Sequence, residues 1–179
     1  MAVLTKIETP LGTVIASSDG QSLTGLWFEG QKYECSFVED PVLDDSLPLW
    51  KNVKHALEEY FQGVGDVAPA VPIAFVGGTA FQKAVWDVLT EIPYQTVWTY
   101  KDVAERVEEK LGRKTSSRAV GTAIGRNPIS LFVPCHRVIA STGALTGYAG
   151  GVERKRALLM LEGHSVVKDR VMKGERHEA

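Results

Sequence analysis

The sequence lacks any apolar run near the roughly 18 residues that a membrane helix requires, and its first residues lack the basic-then-apolar order of a secretory leader. A soluble, cytoplasmic chain is the expectation. Cysteine is scarce: Cys35 and Cys135 are the only two in 179 residues. Two cysteines cannot build a disulfide framework, and without a leader both are expected to stay reduced, which leaves a thiol available for chemistry. Cys35, His55, His164 and His177 have no metal-ligand spacing, so neither a metal nor another cofactor is expected. His55, on an amphipathic helix, and His177, in a polar tail, read as solvated. Acidic residues are missing from Lys110 to Val152, although that segment holds Lys110, Arg113, Lys114, Arg118, Arg126 and Arg137.

That local gap belongs to a wider asymmetry which the net charge of −2 conceals. Residues 1–78 carry 4 basic and 11 acidic side chains, whereas residues 79–179 carry 16 basic and 11 acidic ones. The basic run would suit phosphate, as in nucleic acid; a solvated basic face accounts for it equally well.

With 44% hydrophobic residues the chain can bury a core, at a length between one domain and two small ones. Three strands are predicted at Leu4–Glu8, Thr13–Ala16 and Leu23–Phe28, separated by turns near Pro10-Leu11-Gly12 and Asp19-Gly20. A helix follows over 47–62, because Leu49, Val53, Leu57, Tyr60 and Phe61 recur at three- and four-residue steps. From Gly63 to Gly78 the composition turns to Gly, Pro, Val and Ala, which reads as a connector and gives domains of 1–78 and 79–179.

Beyond the connector, Thr79 and Gln82 form a capping box, so a helix starts there and is expected to end at Ile92-Pro93. Thr99 with Asp102 caps a second helix, Tyr100–Leu111, whose inward face is Val103, Ala104 and Val107. Gly112 and a polar turn lead to a third helix, Ser117–Gly125; the pair reads as a helix-turn-helix. Gly121, inside the third helix, costs on the order of 1 kcal/mol relative to alanine. Close approach to a nucleic-acid backbone and close helix packing within the protein both explain it.

Next come an apolar run, Ile129–Val133, and then Pro134-Cys135-His136-Arg137. The cysteine is expected where a buried strand ends, with His136 and Arg137 favouring its thiolate, the reactive form of the side chain. A Cys-His dipeptide alone is weak support, since most isolated cysteines are buried and inert.

The segment NPISLFVPCHRVI followed by GYAGG resembles the active-site signature of the alkylguanine-DNA alkyltransferase family. FQKAVWDVL, IPY, TYKDVA and SRAVGTAIGRNP resemble the same family in the same order, over residues 79–163. The resemblance implies an α/β (α+β) protein with a small ribonuclease H-like N-terminal domain of sheet plus helix. It also implies a mainly helical C-terminal domain bearing a winged-helix-like helix-turn-helix.

As to roles, the resemblance implies Cys135 as alkyl acceptor, His136 as the base acting through water, and Glu162 as the carboxylate orienting that imidazole. It makes Asn127 the hinge behind the cysteine and Arg118 the finger that fills the place of a flipped nucleotide. Tyr100 would help rotate the nucleotide and assist the leaving guanine. Val138, Tyr148 and Ala149 would hold the base, and Thr99, Ala119, Gly121 and Arg126 would contact DNA in the minor groove. The implied activity is single-turnover transfer of an alkyl group from guanine O6 in double-stranded DNA, by a monomer; whether thymine O4 also serves is left open by the sequence. The family usually has glycine where this chain has Gln95, so the turn there is expected to differ without affecting the chemistry. Three rivals are a lesion-binding relative that does not react, a thiol hydrolase and a transcription regulator. The first typically lacks the cysteine, the second leaves the basic run unexplained, and the third lacks a regulatory domain.

Overall fold

The computed structural model describes residues 2–67 and 71–172, and His177 lies outside them. Two compact units emerge: Met1–Gly78 with Pro128–Phe132, and Thr79–Asn127 with Val133–Ala179.

In the first unit, β1 (Ala2–Thr9), β2 (Gly12–Ser18) and β3 (Leu23–Phe28) form an antiparallel meander. A short fourth strand, β4 (Pro41–Leu43), pairs parallel to β1, giving the order β3-β2-β1-β4. This strand was not expected, because all three of its residues are exposed and carry no alternation. Helix α1 (Leu49–Phe61) lies against β1 and buries Trp50, Val53, Ala56, Leu57 and Tyr60. Trp50, rather than Leu49, anchors its first turn; its indole N-H donates to the Asp44 carbonyl.

The run Ile129–Val133 corrects the sequence reading. It is not a strand: Leu131 stands at a φ of 70°, and among the described residues Ile129 alone makes a bridge, to Leu26. The Leu26 N-H donates to the Pro128 carbonyl and the Ser130 N-H to the Leu26 carbonyl, so residues 128–132 belong to the first unit's sheet edge. A single cut at residue 78 puts them in the other unit. An apolar run shows that a segment is buried, not which unit buries it.

The second unit begins with α2 (Ala80–Leu89), whose Thr79–Gln82 capping box is formed in both directions. The helix ends at Leu89, short of the Ile92-Pro93 stop read from the sequence; Thr90 already caps it. A two-residue strand, β5 (Trp98–Thr99), runs into α3 (Tyr100–Leu111) through the Thr99–Asp102 capping box. Gly112, left-handed at φ 68°, ends α3, and Ser116 caps α4 (Ser117–Gly125) by accepting from the Ala119 N-H. Helices α2, α3 and α4 contact one another pairwise, and the Trp86 indole ties α2 to the end of α4 through the Ala123 carbonyl at 2.9 Å.

Cys135–Arg137 form a single 3-10 turn leading into β6 (Val138–Ile139), which pairs parallel to β5. Helix α5 (Val152–Leu161) and the hairpin β7 (Val166–Val167) and β8 (Arg170–Val171) complete the unit. Val97, Ile139, Leu145, Leu159 and Val171 form a small apolar core under this end. Among the described residues no helix is long and apolar enough to cross a membrane.

Candidate active site

The β5–β6 ribbon assembles the site. Its pairs Trp98–Val138 and Thr99–Ile139 set the start of α3, and hence Tyr100, beside the segment that carries Cys135. Asn127, just beyond α4, donates its side-chain amide to the Val133 carbonyl at 2.8 Å and also hydrogen-bonds Cys135. Asn127 thus braces both sides of Pro134.

Cys135 is 6% exposed, and His136, Arg137 and Glu162 are buried more deeply still. His136 Nε2 lies 2.5 Å from Glu162 Oε2. Arg137 donates to the same carboxylate through Nε at 2.8 Å and Nη2 at 3.2 Å, and through Nη1 to the Ile92 carbonyl at 3.0 Å. Burial works to raise the Glu162 carboxyl, but the neighbouring His136 and Arg137 outweigh it and hold the group well below the usual carboxylate range. Burial lowers the imidazole, keeping His136 neutral. An ionised Glu162 can only accept, so Nε2 carries the hydrogen and Nδ1 keeps the lone pair that a base needs.

These contacts correct the role read for the two neighbours of the cysteine. Arg137 is spent on Glu162 and His136 is neutral, so neither supplies the charge that favours a thiolate. Burial pushes the Cys135 thiol up, opposed by the Asn127 side chain, by the ammonium of Lys155 and by backbone N-H groups of Cys135 and His136. The sequence reading missed Lys155, since it sits in the run Glu153-Arg154-Lys155-Arg156, which looks like a solvated face. The available signal was its spacing: Leu158 and Leu159, three and four residues on, share its inward side.

Tyr100 donates from its hydroxyl to the Thr146 carbonyl at 3.1 Å, and burial raises its pKa. Its ring lines an open hollow of about 440 Å³ with Ser117, Arg118, Gly121, Thr122 and Gly147. Arg118 and Ala119 are exposed on α4 and Arg126 is exposed at its end, while Thr99 is occupied as a helix cap. A Cβ added at Gly121 would meet only the Tyr100 ring, at 3.6 Å, an ordinary contact. Packing inside the protein therefore does not require the glycine.

Val138 and Tyr148 are buried and Ala149 is half-buried. Gln95 stands at a φ of 67°, in the left-handed region that favours glycine, and its N-H points at Glu162 Oε1 at 3.4 Å. The turn was expected to stand apart from the chemistry, yet its backbone reaches the carboxylate. Among the described residues no three His, Cys, Asp or Glu side chains gather as a metal site. Exposed His55 pairs with Glu59.

A buried thiol followed by an imidazole–carboxylate pair, on a domain built around packed helices, has the parts of a nucleophilic cysteine protein. Comparison with known proteins narrows the class. Residues 3–75 match the model of the 6-O-methylguanine DNA methyltransferase ribonuclease-like domain, and residues 80–164 that of the DNA binding domain of the same proteins. The chain is 39% identical over 160 residues to Methylated-DNA--protein-cysteine methyltransferase of Haemophilus influenzae, covering 88% of this chain and 84% of that one. With the protein of the same name from Mycobacterium leprae the identity is 40% over 162 residues, covering 90% and 92%. The crystal structure of Mycobacterium tuberculosis OGT in complex with DNA superposes with a TM-score of 0.78 at 36% identity, over 89% of this chain and 92% of that one. The chain belongs to the methylated-DNA--protein-cysteine methyltransferase family.

Proposed function

We propose that the protein repairs DNA by moving an alkyl group from O6 of guanine directly to Sγ of Cys135, once per molecule, as a cytoplasmic monomer acting on double-stranded DNA. The observation that carries this reading is the buried His136–Glu162 contact, which begins at the residue after the cysteine and leaves Nδ1 of a neutral imidazole as base.

In the reaction the thiol proton passes to His136 through a water, and the sulfur forms a bond to the alkyl carbon as the carbon–O6 bond breaks. The electron pair of that bond goes to guanine O6, and the guanine takes up a proton. Tyr100 suits the donor role: its raised pKa keeps the hydroxyl protonated, and at rest it donates to Thr146, a bond it can exchange for the base. A nucleotide must leave the stack to reach the sulfur. The α4 face of Arg118, Ala119 and Gly121, with Thr99 and Arg126 nearby, would bind the minor groove, and Arg118 would fill the vacated place. Tyr148, Ala149 and the Val138 carbonyl would hold the flipped base, and Asn127 would keep the cysteine segment in register. The end product is a thioether on Cys135, a stable bond that ends the reaction after one transfer.

Replacement of Cys135 by serine tests the reading against a lesion-binding protein that does not react. Transfer from duplex DNA bearing methylated guanine should vanish while binding to that duplex persists; retained transfer would contradict the assignment.

A further inference from the structure

Lys155 is 1% exposed, yet among the described residues its ammonium has no carboxylate partner; Nζ donates to the Val138 carbonyl at 2.6 Å and to the Thr146 carbonyl at 3.0 Å. These two acceptors belong to different parts of the site. Val138 follows the cysteine turn, and its own N-H bonds the Cys135 carbonyl. Thr146 lies in the loop that also receives the Tyr100 hydroxyl. One buried cation therefore ties the cysteine turn, the Tyr100 acceptor and the loop before α5 to a single point. An ammonium held by two neutral carbonyls is costly unless a negative charge comes near.

We infer that Lys155 is a positioning residue that supplies the positive charge facing the Cys135 sulfur and pins the Val138 and Thr146 carbonyls around it. The inference rests on the reading of Cys135 as the reacting group. The ionisable groups facing Lys155 fit the role: Cys135, whose thiolate the ammonium favours, and His136, whose protonation it disfavours. Arg137 is committed to Glu162. Burial pulls the Lys155 ammonium down to about 8, and the charge of the Cys135 sulfur works against that pull. The cation thus lowers the cost of the thiolate and keeps the imidazole a base.

The test is the rate of Cys135 modification by iodoacetamide against pH, mapped by peptide mass in the full-length chain and in Lys155→Met. The pH of half-maximal reaction should rise by about one unit, and the rate at neutral pH should fall about tenfold. Lys155→Arg should restore part of that shift. An unchanged midpoint in a folded variant overturns the inference. Iodoacetamide needs neither DNA nor a flipped base, so failure of the repair reading would leave this result untouched. Should Lys155→Met not fold, the Nζ resonance of Lys155 is titrated in the unaltered chain before and after Cys135 is blocked with methyl methanethiosulfonate. Blocking should lower the lysine's pKa, and an identical titration overturns the inference.

Discussion

Replacing Glu162 by glutamine is a near-isosteric change that removes one buried negative charge. The carboxylate receives Arg137 through two nitrogens at 2.8 and 3.2 Å and His136 at 2.5 Å, all at almost complete burial. The variant removes the carboxylate charge that the buried Arg137 guanidinium faces. Breaking a buried pair from one side costs about 3–5 kcal/mol, against about 0–1 kcal/mol for an exposed pair. Urea unfolding at pH 7 should therefore place Glu162→Gln in the larger range. Because the folded pKa of Glu162 is depressed, its contribution is fully present above the unfolded value of about 4.3 and is lost as pH falls toward the folded one. The gap between the two proteins should narrow below about pH 4. Adding Arg137→Met should recover much of the loss, since the buried cation that faced the carboxylate is then gone. A loss under about 1 kcal/mol at pH 7, or a gap that does not narrow in acid, would refute the assignment of Glu162 as the anchor of this cluster.

Gly121→Ala should raise stability by about 1 kcal/mol in urea, because the added carbon meets only the Tyr100 ring at ordinary distance. The same variant should bind duplex DNA more weakly in a fluorescence titration; unchanged binding would remove the close-approach explanation. Gln95→Gly should stabilise the chain by roughly 1 kcal/mol by relieving a left-handed side-chain position, and calorimetry showing a lower Tm would contradict that. Arg118→Ala should slow transfer from duplex DNA more than transfer from free alkylated guanine, and equal losses would count against a finger role.

Local chemistry made much of the second unit legible. The Thr79–Gln82 and Thr99–Asp102 boxes and Gly112 fix helix ends through neighbouring atoms, so three- and four-residue spacings suffice to read them. The cysteine motif and the Glu162 pairing were readable through family resemblance alone. What stayed hidden depends on distance along the chain. Arg137 finds Glu162 25 residues away and Ile92 45 residues away, and nothing in its own surroundings marks it as buried. Lys155 looks like one more surface charge until α5 turns it inward. Ile129–Val133 reads as a strand because apolarity records burial and not backbone geometry, and the positive φ at Leu131 has no local residue signal. Strand β4 is three exposed residues held only by their pairing to the start of β1, which no pattern within 41–43 announces.

The most direct measurement is the intact mass of the protein after incubation with excess duplex DNA carrying methylated guanine. One added methyl per molecule, located on Cys135 by peptide mapping and unchanged by longer incubation, is the predicted result. Continued loss of lesion beyond one per protein, or a methyl found on any other residue, would contradict the account.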